Sequence, residues 1–262
     1  MNMGSSARRG TLSKLIPTGV VGGLGGMVAQ GYYAGHRTLP HFLDQDATGR
    51  FGTPGTTPIR IVAIGDSTLT GPGLLDIEDL WICQTLDRLD PIYDIELHVL
   101  AKGGAWTRDI RKNQLEEALD LKPDIAIVSG GSNDSIRGVS LRSIRRVLVS
   151  MAEALVEVAS SVILPGVGDM GSIPRLPQPL ATVLSWRSRA ADRVHANVTS
   201  THPDIVHLPM WDDASGPFRE DPDRLFGPDE FHPSAAGQTV WADLGFPVIS
   251  AACRRVAGAD LS

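Results

Sequence analysis

A chain of 262 residues, 42% hydrophobic and 21% charged, is long enough to bury a sizeable core and too apolar to stay disordered. Its net charge is −6, and the early cations Arg8, Arg9 and Lys14 precede any acid, so the rest of the chain is more acidic still and nucleic acid is not an expected partner. Cys83 and Cys253 show neither metal-like spacing nor a C-x-x-C pair, so no disulfide framework and no zinc site are expected.

From Leu15 to Gly35 (LIPTGVVGGLGGMVAQGYYAG) the chain has no formal charge and follows those three cations. That pattern predicts an uncleaved membrane anchor with its N-terminus inside and the following domain exported. Its seven glycines include the small-xxx-small pairs Gly19/Gly23 and Gly22/Gly26, which suit helix pairing in a bilayer. A cleaved signal peptide fits less well, because Met27 and Tyr32 stand where cleavage after Ala29 or Ala34 requires a small residue. The alternative is an arm packed on the surface of a cytoplasmic protein. Residues 36–58, polar and Pro/Gly-bearing, read as a linker, which leaves a globular domain over 59–262.

Beyond Pro58 short aliphatic runs alternate with longer helical patterns. Strands are expected at Ile59–Ile64, Glu96–Leu100, Asp124–Val128, Ser161–Leu164 and Ile205–Leu208. Helices are expected at Leu74–Leu89, Thr107–Leu119, Leu141–Ala159, Leu180–Ala196 and Ser234–Val256. Five βα units predict an α/β three-layer sandwich around a five-stranded parallel sheet, with ligands meeting the carboxyl ends of the strands.

Three stretches fall at such ends. The first strand stops at Gly65-Asp66-Ser67, which presents one hydroxyl on a tight turn. The second leads into LAKGGAWTRDI, where Gly103 and Gly104 allow close backbone approach, and the third into VSGGSNDSI, which carries Asn133. A serine needs a base to act as a nucleophile. Most histidines lie in the linker, within a strand or around a late helix, but His232 ends an Asp-x-x-His turn in GPDEFHPSAAG. Asp229, three residues earlier, is placed to reach Nδ1 and leave Nε2 facing a serine.

These four blocks, in this order, resemble the SGNH hydrolases of the GDSL-type lipases and esterases: GDST with Ser67, GGAWT with Gly104, GSND with Asn133, DEFH with Asp229 and His232. The resemblance covers about Ile59 to Val256 and implies a flavodoxin-like fold. It departs from the family in reading GDST for the frequent GDSL, and in placing Val99 where an Asn is common. It further implies Ser67, Asp229 and His232 as catalytic residues, an oxyanion hole of the Ser67 and Gly104 backbone N–H groups with the Asn133 side chain, and no metal or other cofactor. Asp66 and Asp134 read as turn-holding residues. Trp106, Met170 and Phe231 neighbour the blocks and are candidates for the substrate pocket, which PGVGDMGSIPRLPQP (Pro165 to Pro179) is expected to rim. The expected substrate is an ester of a short to medium acyl chain with a lipid, sugar or small alcohol. An acyltransferase or thioesterase on the same site, and a non-catalytic membrane-tethered binding domain, are the alternatives.

Overall fold

In the computed structural model, which describes residues 26–89 and 91–259, six strands form one sheet: β1 (Gly49–Gly52), β2 (Thr57–Gly65), β3 (Tyr93–Val99), β4 (Ile125–Ser129), β5 (Ser161–Pro165) and β6 (Ile205–Leu208). The order across it is β1-β3-β2-β4-β5-β6, with every neighbouring pair parallel except β1 and β3. The five expected parallel strands are thus present. The sixth is a correction to the expected count: β1 (GRFG) is an antiparallel edge strand lying inside the stretch read as linker.

Alternation along the central strands explains the layers. In β2, Ile59, Ile61 and Ala63 enter one core with Trp81 and Ile249, while Val62 and Ile64 enter the other with Leu148 and Leu155. A strand buried on both faces must be apolar throughout, which is why it reads as a continuous greasy run. Each such isoleucine contributes about 1.5–3 kcal/mol by leaving water. The first core is covered by α2 (Trp81–Asp87) and α10 (Ala235–Ala259), the second by α3 (Thr107–Asn113), α6 (Leu141–Val156) and α7 (Leu180–Val198). Cys83 and Cys253, on α2 and α10, are free and buried, and burial pushes both thiols up to about 12.

The helix expected over Leu74–Leu89 contracts to a 3-10 turn at Ile77–Asp79 followed by α2. The one expected over Thr107–Leu119 breaks at Gln114 into α3 and α4 (Leu115–Asp120). Three short helices escaped the sequence pattern: α5 (Ser132–Ile136), α8 (Ser215–Glu220) and α9 (Pro222–Leu225).

From β2 the chain crosses to β3 on one side and later returns to β4 on the other. The crevice at this reversal, beyond the carboxyl ends of β2 and β4, is where ligands meet such sheets. Residues 26–36 form the first helix, α1, and its neighbour Arg37 pairs with Glu230 at that end of the molecule. The described part of the expected anchor therefore packs on the domain, with Ala34 buried. Its remainder, Leu15 to Gly25, lies outside the described residues. Among the described residues no helix is long and apolar enough to cross a membrane.

Candidate active site

Ser67 opens a 3-10 turn, Ser67–Leu69, directly beyond β2. The preceding Asp66 is fully buried and its Oδ1 accepts from the Thr68 N–H at 3.1 Å and the Thr68 hydroxyl at 3.0 Å, fixing the turn. Burial pushes the Asp66 carboxyl up to about 6, against the hydrogen bonds from Thr68, the nearby His232 and the Asn133 amide. The strand end itself is clamped by Gln114, whose Oε1 accepts from the Gly65 N–H at 2.7 Å while its Nε2 donates to the Gly65 carbonyl at 3.0 Å. A buried amide that satisfies both groups of one residue accounts for the break between α3 and α4 at Gln114.

His232 sits on a turn closed by the Gly227 N–H donating to the His232 carbonyl at 2.7 Å and the Glu230 N–H donating to the Gly227 carbonyl at 2.9 Å. Asp229 is buried beneath it. Its Oδ1 accepts from the backbone N–H groups of Phe231 and His232, each at 3.0 Å, and its Oδ2 lies 2.6 Å from His232 Nδ1. Burial by itself would raise the Asp229 carboxyl, but the hydrogen bonds and charge of His232 outweigh it and hold the group below its ordinary range. Asp229 is therefore an anion at neutral pH, and it fixes Nδ1 as the protonated nitrogen. Ser67 and His232 line the same pocket. Among the described residues no hydrogen bond joins them, a contact that commonly tightens only when substrate is bound.

Asn133, on α5, ties three of the blocks together. Its Nδ2 donates to Asp66 Oδ2 at 3.2 Å and to the Ala105 carbonyl at 3.1 Å, next to Ser67 and Gly104 respectively. Asp134 holds the following turn by accepting from the Thr107 N–H and hydroxyl, both at 2.9 Å. Gly104 has φ +74, a conformation that strains any side-chain-bearing residue, and the preceding Gly103 sits so close to Asp44 that a Cβ would come 2.3 Å from its Oδ1.

Asp44 was missed because it lies in the stretch read as linker. It accepts from the Gly103 N–H at 3.1 Å and the Thr70 hydroxyl at 2.8 Å and pairs with Lys102 at 2.8 Å. One carboxylate thus spans the Ser67 turn and the Gly104 loop. These partners outweigh the cost of burial and keep the acid below its ordinary range. Asp44→Ala is expected to cost about 1–3 kcal/mol of stability and, by loosening two loops at once, to lower kcat on p-nitrophenyl acetate on the order of tenfold or more. Thermal melts with steady-state kinetics check it, and wild-type turnover would show that the loops hold without it.

Of the three candidate pocket residues, Met170 and Phe231 line the pocket that holds Ser67 and His232. Trp106 does not line that pocket: the guanidinium groups of Arg108 and Arg137 lie over its ring at 4.1 and 4.6 Å.

Comparison with known proteins gives a consistent picture. The model of the GDSL-like Lipase/Acylhydrolase family matches residues 63–240. The GDSL-like esterase Rv1075c of Mycobacterium tuberculosis is 26% identical over 195 residues, a match that covers 72% of this chain and 60% of that esterase's length. Among solved structures, TesA aligns with a TM-score of 0.57 at 21% identity, covering 74% of this chain and 99% of TesA. The acetylxylan esterase Axe2 of Geobacillus stearothermophilus aligns with a TM-score of 0.54 at 17% identity, covering 79% of this chain and 95% of that one. At such identities these two structures speak to the fold.

Proposed function

The chain belongs to the GDSL-like lipase/acylhydrolase family, and from that premise we propose that it is a serine esterase working through an acyl-enzyme, with Ser67, His232 and Asp229 as its catalytic residues. The observation that carries this reading is the 2.6 Å contact between Asp229 and His232 Nδ1, on a turn whose imidazole shares a pocket with Ser67.

Ser67 Oγ attacks the ester carbonyl carbon while His232 Nε2 takes its proton. The carbonyl oxygen becomes an oxyanion, held by the backbone N–H groups of Ser67 and Gly104 and by the Asn133 amide. The 3.2 Å contact from Asn133 to Asp66 is the longer of its two and the one exchanged for the oxyanion as that charge forms. As the carbonyl re-forms, the bond to the alcohol oxygen breaks and His232 returns the proton to it. Water, deprotonated by His232, then attacks the acyl-enzyme and releases the acid and Ser67. Throughout, the Asp229 anion orients the imidazole and stabilises its protonated form.

A fluorophosphonate probe tests this reading, because it phosphonylates only a serine that a neighbouring base activates. Peptide mapping is expected to find the adduct on Ser67 alone, in protein that also hydrolyses p-nitrophenyl acetate. An unlabelled Ser67 in folded protein would refute the mechanism.

A further inference from the structure

His232 and Phe231 border two separate cavities. One, of about 100 Å³, also holds Ser67 and is walled by Met170, Met210, Phe218, Phe226 and Trp241. The other, of about 690 Å³, reaches His232 but not Ser67. Ester cleavage assigns the two. The acyl carbon must bond to Ser67 Oγ, so the acyl chain belongs in the cavity that contains Ser67. The leaving oxygen must receive its proton from His232, so the alcohol departs on the side that His232 borders alone.

Size and lining then name the substrate class. A cavity of about 150 Å³ accepts benzene, so the smaller acyl cavity takes a chain of fewer than about six carbons. The larger groove falls within the usual range for whole small-molecule ligands, and Val28, Ile136, Leu176, Leu180 and Leu184 make it largely apolar. Its two cations are already engaged. Arg175 Nε donates to the Ala34 carbonyl at 2.6 Å, and Arg137 lies over the Trp106 ring.

One wall of this groove is the helix of residues 26–36, through Met27, Val28, Gly31, Ala34 and Gly35. It is fastened to the opposite wall by Gln30, whose Nε2 donates to the Gln178 carbonyl at 2.6 Å and whose Oε1 accepts from the Leu180 N–H at 3.2 Å. The neighbouring Arg37 holds Glu230, the residue between Asp229 and Phe231 on the His232 turn. Resting on the serine-esterase reading, we infer that the enzyme splits short-acyl esters of bulky apolar alcohols, and that residues 26–36 form the alcohol subsite.

The test compares ethyl acetate, 2-phenylethyl acetate and ethyl decanoate by pH-stat titration, in wild type and in Gly31→Phe. Gly31 is exposed on the helix and an added Cβ meets nothing within 4 Å, so the substitution fills the groove without a clash in the fold. In wild type, kcat/KM is expected to be about tenfold higher for 2-phenylethyl acetate than for ethyl acetate, and lowest for ethyl decanoate. In Gly31→Phe the preference for 2-phenylethyl over ethyl acetate is expected to fall about tenfold, and Val28→Trp, on the same wall, is expected to repeat it. A preference unchanged in both variants, or a wild type that favours the decanoate, would overturn the inference while leaving the esterase intact. Failure to hydrolyse any of the three, with Ser67 unlabelled by fluorophosphonate, would instead bring down the esterase reading and this one with it.

Discussion

Ser67→Ala is expected to lower kcat on p-nitrophenyl acetate by at least about a thousandfold, with a melting temperature close to that of wild type. The first half follows from chemistry: without the hydroxyl no acyl-enzyme forms, and only the donors and binding surface remain to favour direct attack by water. The second follows from packing. Ser67 is half-buried, and the hydrogen bonds that fix its turn run instead through Asp66, Thr68 and Ser129. A substitution that removes one oxygen and leaves those bonds in place changes stability by about 0.5 kcal/mol or less. Thr68→Ala is the informative contrast, since the Thr68 hydroxyl lies 2.7 Å from Ser129 Oγ and bonds to Asp66. That change should appear in the melt before it appears in the kinetics. Turnover near the wild-type rate in folded Ser67→Ala protein would remove Ser67 from the mechanism.

Much of the sheet and the four blocks were legible in the sequence, for one physical reason. Parallel strands buried on both faces must be continuously apolar, so β2, β4 and β5 announce themselves, and whatever polar residue ends such a run stands at the rim of the crevice. What escaped had its cause elsewhere in the chain. The strand β1 is four residues with glycine at both ends, and it exists because β3 offers an edge to pair with. Gln114 carries no breaking signal, yet α3 and α4 part there because its amide closes on Gly65, 49 residues away. Asp44 looks like any acid in a polar loop until Thr70 and Gly103 meet it.

In the N-terminal segment local pattern says least about contacts. An uncharged, glycine-rich stretch after three cations satisfies the simplest criterion for a bilayer span, and nothing local marks Gln30 or Arg37 as docking residues. Their partners lie 148 and 193 residues further on. Composition reports which residues avoid water; it does not report whether lipid or protein covers them. In residues 26–36 only Ala34 is buried, while Gln30 and Arg37 tie the helix to Gln178 and to Glu230 of the His232 turn.

Asp229→Asn is expected to lower kcat by about a thousandfold to ten-thousandfold while the turn survives, an effect of the size that this change has in serine-protease triads. The asparagine retains Oδ1 to accept from the Phe231 and His232 N–H groups at 3.0 Å, so the backbone is held as before. What changes is the atom facing Nδ1, now 2.6 Å from Oδ2. An amide N–H in that place donates to Nδ1 and drives the ring proton to Nε2, where the imidazole can no longer accept from Ser67. Asp229→Ala should be comparably inactive but also less stable, by about 1–3 kcal/mol, because two buried N–H groups lose their acceptor. The direction of the Asp229 shift adds a pH signature. Its carboxyl is held below the ordinary value, so the stability it contributes is present above about pH 4 and is lost only as the pH falls through the lower, folded-state value. Wild type should therefore lose melting temperature on acidification below about pH 4, and the Asp229→Asn protein should lose less over the same range. A loss of kcat under tenfold for Asp229→Asn, measured beside Ser67→Ala on the same ester, would mean that His232 keeps its tautomer without Asp229 and that the carboxylate only holds the turn.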